Sequence, residues 1–151
     1  LLQAKGIFTV VLDGDNVRTG LNSDLGFSDA DRAENIRRIA EVAKLFVQQG
    51  IVVMCCFVSP TIAIREQAKR IIGADDFLEV FVDAPLDVCE QRDVKGLYAK
   101  ARSGEVKDFT GISAPFEAPS SPAVRIATAD RSAGSSAQEL LDFILPRITR
   151  G

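Results

Sequence analysis

Residues 10–20 read VVLDGDNVRTG: two carboxylates, Asp13 and Asp15, one residue apart behind an apolar run, followed at once by the amide of Asn16 and the guanidinium of Arg18. Carboxylates at this spacing can hold the water shell of a divalent cation, accept a proton from a hydroxyl, or cap a turn around Gly14. The chain has no histidine, so a proton acceptor has to be Asp, Glu, Lys, Tyr or water. Arginine beside the acids suits an oxyanion, because a planar guanidinium grips two oxygens at once and stays charged. The stretch is thus equipped to hold a metal, a phosphoryl group, or its own turn.

The elements that must position these groups follow from hydrophobic pattern. Apolar, β-branched runs at 7–12 (IFTVVL), 51–58 (IVVMCCFV), 78–82 (LEVFV) and 123–127 (AVRIA) read as strands, with helix-length segments between them. Residues 28–49 carry Ser28 as N-cap, acids in the first turn, apolar Ile36, Ile39, Ala43, Phe46 and Val47 at helical spacing, and a stop at Gly50. Ser59-Pro60 reads as the cap and first turn of a helix ended by Gly73, Pro85 opens a short helix, and a last helix covers about 136–148. Strands joined through helices are crossovers, so the fold class is α/β: three layers around a mainly parallel, doubly wound sheet. Ligands of such sheets sit beyond the carboxyl ends of the strands. That rule selects Asp13 and Asp15 after the first strand, Ser59 after the second and Asp83 after the third. Residues 95–111, glycine-punctuated and basic through Lys95, Lys100, Arg102 and Lys107, read as a mobile lid over an anion, and the proline- and serine-rich 113–122 as a surface loop.

The length of 151 residues, 46% hydrophobic and 26% charged, suits one domain over 1–151 with its own core. A net charge of −3 makes no field for nucleic acid or an anionic membrane, and no apolar run is long enough to span a bilayer. The expected location is cytoplasmic. Of three cysteines, Cys55 and Cys56 are adjacent in an apolar run and Cys89 lies in a helical pattern, which predicts buried reduced thiols rather than a disulfide framework or a zinc site. The opening LLQAKG reads as a helix end before the first strand, and an upstream piece is expected to be missing.

Two resemblances sharpen the chemistry. VVLDGDNV matches the nucleophile motif of haloacid-dehalogenase-type phosphatases, with Asp13 attacking phosphorus, Asp15 as acid/base and Ser59 as a phosphate-binding hydroxyl. The acidic pair that family needs after a later strand is absent there: Asp75-Asp76 precede the run at 78–82, and only Asp83 follows it. A longer resemblance runs through LDGDNVRTGLNSDLGFSDADRAENIRRIAEVAKLF, FVSP and EVFVDAPLDVCEQRDVKGLYAKARSGEVKDFTGISAPFEAP, across nearly all of 10–119. These segments together resemble adenylylsulfate kinase (APS kinase), a P-loop kinase family. That resemblance implies transfer of the γ-phosphoryl group of MgATP to the 3′-hydroxyl of adenosine 5′-phosphosulfate (APS), a homodimer, and association or fusion with ATP sulfurylase. The family's Walker A loop, G-x-x-x-x-G-K-[ST], occurs nowhere in these residues. A truncated kinase, lacking its N-terminal strand and phosphate loop, is the expectation, with an APS-binding pseudo-kinase as the alternative.

The same resemblance implies roles. Asp13 holds the water shell of Mg2+ and Asp15 orients the 3′-hydroxyl and accepts its proton, or the two are exchanged; capping around Gly14 is the plainer reading of both. Asn16, Arg18, Arg32 and Asn35 belong to the APS site, against a solvated helix face pairing Arg32 with Asp29 or Asp31. Phe27 and Phe109 sandwich the APS adenine, or form small satellite clusters. Lys95 contacts APS, and Arg92 is an ATP-side residue. Val58 and Ser59 contact the substrate; a phosphorylated Ser59 intermediate is the minority reading, since a cap at a helix start explains a Ser-Pro pair. Arg37 and Arg38 are left to surface pairing.

Overall fold

The computed structural model describes residues 1–148, in two compact units that divide after Phe77. The first opens on a 3-10 turn, Gln3–Lys5, ended by Gly6 at φ 75°, so the helix end read at the start of the chain is one tight turn. There follow β1 (Thr9–Asp13), α1 (Gly14–Arg18), α2 (Asp29–Val47), β2 (Val52–Cys56) and α3 (Ile62–Ile72). β1 and β2 pair in parallel, Thr9 opposite Val52 through Asp13 opposite Cys56, and the long α2 crossover makes that direction possible. The last paired residue of β1 is therefore the first of the two acids.

Helix α2 starts where the cap predicts: the Ser28 hydroxyl oxygen accepts from Asp31 N at 3.1 Å and the hydroxyl donates to Asp31 Oδ2 at 2.7 Å. Its apolar face is buried at Ile36, Ile39, Ala40 and Ala43, and packs on α3 through Ile36 and Ala40 against Ile64 and Ala68, flanked by Phe57 and Phe77. Alanines on both helices permit a close approach of backbones, and the isoleucines fill the remaining space. Phe46 and Val47, at the far end of the same face, are half-buried.

The second unit runs β3 (Val80–Asp83), α4 (Leu86–Arg92), α5 (Leu97–Arg102), β4 (Val124–Ala127) and α6 (Ala133–Ile148). β3 and β4 are again parallel, Val80 opposite Val124. Both strand pairs are thus of the α/β crossover type expected.

Three local readings are corrected. Helix α3 is capped by Thr61, extended at φ −114°, whose hydroxyl accepts from Ile64 N; Ser59 stands outside it at φ 44°. Cys55 and Cys56 are exposed rather than buried, because the sheet of this unit has only two described strands. Enough protein surrounds the Cys55 sulfur to push its pKa up to about 11, so that thiol stays protonated at neutral pH. Helix α6 starts at Ala133 rather than near 136, with Ser132 Oγ accepting from Ser135 N. The short α1 and α5 carry too few apolar positions for periodicity to reveal.

Surface pairing accounts for Arg37 and Arg38, as expected. Glu34 accepts from Arg37 Nε at 2.6 Å and Arg38 Nε at 2.9 Å, and Arg38 reaches back to Asp24 at 2.7 Å. Hydrogen bonds from Arg37 and then Arg38 lower the Glu34 pKa from 4.5 to about 2. A carboxyl whose folded pKa is depressed stabilises the fold above its unfolded pKa and loses that contribution as pH falls through the folded one. Thermal melts between pH 4.5 and 2 are therefore expected to fall less steeply with acid for Glu34→Gln than for the parent protein.

Candidate active site

The D-G-D-N turn is a helix start. Asp13, still extended at φ −109°, caps α1 by accepting from Asp15 N at 3.0 Å, so the capping role weighed for this acid is real and occupies one of its oxygens. Asp15 and Asn16 then project from the first turn of α1, both exposed. A negative charge on Asp13 is felt at the neighbouring strand end: burial first, and then Asp13, raises the Cys56 thiol pKa.

Arg18 closes α1 and turns onto the next loop. Its Nη1 donates to Leu25 O at 3.2 Å and Gly26 O at 3.0 Å, and its guanidinium carbon lies 4.4 Å from the centroid of the Phe27 ring. Arg32, on the first turns of α2, donates from Nε to Phe27 O at 2.9 Å and brings its guanidinium carbon to 6.0 Å from the same ring. Phe27 itself is 63% exposed. An exposed aromatic ring with two arginines drawn over it is not core packing; a cation over a ring face is attracted by its quadrupole. The first turns of α2 also present a helix N-terminus, which favours negative charge. Asn35, one turn beyond Arg32, is nearly buried at 5% exposure, and its Oδ1 accepts from Asn22 Nδ2 at 2.9 Å. Sequence reasoning passed over Asn22. The only available signal was an amide among loop residues, with no periodicity to show that it is fully buried.

At the end of β2, Val58 is 65% exposed and Ser59 takes a left-handed φ immediately before Pro60. That conformation is costly for a non-glycine residue and more so before proline. It is held in place by Arg65 Nη1, which donates to Ser59 O at 2.8 Å. Strain kept by a specific bond is a mark of functional loops. No hydrogen bond engages Ser59 Oγ among the described residues, which leaves a serine nucleophile without the partner base it needs.

In the second unit, Arg92 is tied down: it donates to Thr128 Oγ1 at 3.2 Å, Thr128 O at 2.6 Å and Ala129 O at 3.0 Å. Lys95 is exposed in the link between α4 and α5. Asp93 organises that link. Burial works against its charge, but N–H donors from Ala99 and Tyr98 hold its carboxyl below the usual range. The segment read as a lid contains α5, and one of its cations is already used, Arg102 pairing with Glu90 at 2.5 Å. Phe109 is half-buried and meets Tyr98 edge to face, with centroids 5.0 Å apart. Asp83, selected by the strand-end rule, pairs with Arg125.

Among the described residues no three ligating side chains come together as a metal cage. One Asp13 oxygen serves the cap and leaves the other for a water-mediated contact. This fits a hydrated magnesium ion held chiefly by nucleotide phosphates and water, the usual manner for that ion.

Comparison with known proteins matches the chain over nearly its whole length. The adenylylsulphate kinase family profile covers residues 1–127. An adenylyl-sulfate kinase of Bacteroides fragilis is 59% identical over 149 residues, 99% of this chain and 74% of that protein. The structure of the Mycobacterium tuberculosis APS kinase CysC in complex with AMPPNP and APS superposes with a TM-score of 0.91 at 51% identity, covering 95% of this chain and 84% of that one. The bifunctional enzyme NodQ of Azospirillum brasilense is 51% identical over 95% of this chain, which spans 23% of NodQ. The phosphatase motif, by contrast, rests on a few residues around Asp13. From the acidic strand end to the basic α4–α5 region, the residues and the P-loop-kinase-like fold agree, and the chain belongs to the adenylylsulphate kinase family.

Proposed function

We propose that the protein phosphorylates the 3′-hydroxyl of adenosine 5′-phosphosulfate with ATP, giving 3′-phosphoadenosine 5′-phosphosulfate. The observation that supports this reading best is the exposed Phe27 ring with Arg18 and Arg32 over it, a surface suited to a base and an adjoining oxyanion. Arg18, Arg32 and Asn35 hold the phosphosulfate, and Phe27 stacks on adenine; such stacking contributes on the order of 1–3 kcal/mol per base in single-strand nucleic-acid binders. Val58 and Ser59 offer the substrate a strained backbone turn. Lys95 and Phe109 as APS contacts, and Arg92 toward ATP, keep the roles given by the resemblance, and residues 95–111 keep theirs as a lid within a single kinase domain.

Asp15, exposed at the start of α1, orients the 3′-hydroxyl. As the oxygen bonds to the γ-phosphorus, the bond from that phosphorus to the β,γ-bridging oxygen breaks, ADP leaves, and the hydroxyl proton passes to the Asp15 carboxylate. The transition state is loose, so positioning and charge neutralisation carry most of the rate and a strong base is unnecessary. Asp13 would hold the water shell of a magnesium ion, which would neutralise charge on the transferring phosphate; in the alternative assignment the two acids exchange roles.

A second reading is an APS-binding domain without turnover. Incubation of the purified protein with APS and MgATP, with product separated by anion exchange, is expected to yield the 3′-phosphorylated nucleotide. APS binding without product supports the second reading, and failure to bind APS overturns both. No helix among the described residues is long and apolar enough to cross a membrane, and we assign the reaction to the cytoplasm. Light scattering is expected to report a homodimer, and ATP sulfurylase is the partner to test for association.

A further inference from the structure

We infer that Asn22 is a positioning residue that sets which end of the Asn35 amide faces the substrate oxyanion. Asn22 is completely buried. Its Nδ2 lies 2.9 Å from Asn35 Oδ1 and 3.5 Å from Asn35 O. A backbone carbonyl can only accept, so the Asn22 atom facing it has to be the nitrogen, not the oxygen. Once Asn22 presents its nitrogen there, the Asn35 side chain has to present oxygen to it. The Asn35 NH2 is thereby turned the other way, and no hydrogen bond engages it among the described residues.

A nearly buried amide with its donor end unengaged is prepared for an acceptor, and the phosphosulfate offers only acceptors. The arrangement has a cost: Asn22 Oδ1 is buried without a hydrogen-bond partner. Backbone bonds fix Asn22 as well, its N donating to Val17 O at 3.0 Å and its O accepting from Leu25 N at 3.1 Å. It therefore connects the end of α1, the Phe27 loop and α2.

The inference rests on the reading that Asn35 contacts APS, and a double-mutant cycle separates the two. Equilibrium APS binding by calorimetry is measured for Asn35→Ala, Asn22→Ala and the double variant, each checked for folding by circular dichroism. If Asn22 acts through Asn35, both single variants weaken APS binding, on the order of tenfold, and the double variant is no weaker than Asn35→Ala alone. Unchanged affinity in Asn35→Ala sinks the site reading. A weakened Asn35→Ala with an unchanged Asn22→Ala, or losses that multiply in the double variant, overturns the positioning role. The near-isosteric Asn22→Asp guards against misfolding of the alanine variant: its carboxylate draws the Asn35 NH2 toward itself and turns Oδ1 to the oxyanion. It is expected to weaken APS binding at least as much as Asn35→Ala, and to shift the Asn35 side-chain amide resonance in the absence of ligand. An Asn22→Asp protein that folds, binds APS like the parent and leaves that resonance in place refutes the inference.

Discussion

Asp15→Asn is expected to lower turnover on the order of 10²–10⁴-fold, the range lost when a positioned proton acceptor is removed, with little change in APS affinity. The reason is local. Asp15 is exposed at the first turn of α1, while its own backbone N–H is what anchors the Asp13 cap, so the substitution leaves the turn intact and removes only the carboxylate. Asp13→Asn tests the division of labour, since asparagine caps helices as well as aspartate does. If Asp13 holds the water shell of magnesium, its defect is reduced by raising magnesium, whereas that of Asp15→Asn is not. The opposite pattern exchanges the two assignments, and full activity in both variants removes the acids from the mechanism.

Arg18→Ala is expected to weaken APS binding roughly 10- to 150-fold, from about 1.5–3 kcal/mol for a hydrogen bond to a charged group. Two effects contribute. The guanidinium offers charge to the phosphosulfate, and it also fixes the Phe27 loop through Leu25 O and Gly26 O and by lying over the ring. Titration with APS and with adenosine, which lacks the phosphosulfate, separates them. A loss confined to APS identifies oxyanion binding, while equal losses identify loop support. Arg18→Lys keeps the charge but not the planar fork or the ring contact, and is expected to recover only a minor part of the affinity.

The candidate site was legible to different depths. Asp13, Asp15 and Ser59 follow from a topological rule alone, because strand ends in a parallel sheet are where ligands are bound. Arg18, Arg32 and Phe27 required the longer resemblance, since their spacing is equally compatible with a solvated helix face; the ring contact and the carbonyl bonds exist only once the loop between α1 and α2 has folded back. Asn22 was not legible at all. Its burial depends on how residues 20–26 return to α2, and nothing periodic marks it.

The sequence by itself determined the order of the strands and of helices α2, α3, α4 and α6, the parallel sense of the strand pairing, the Ser28 cap, the apolar face of α2 and the family. Each depends on local pattern or on residues adjacent in the chain. Tertiary structure alone decided that Asp13 is also a cap, that Ser59 lies outside α3 in a strained turn held by Arg65, that Cys55 and Cys56 are exposed, and that Asn22 is buried with its amide donating to Asn35. Those outcomes depend on which groups find partners once distant segments meet, and hydrogen-bond satisfaction in a folded chain has no counterpart in the spacing of its letters.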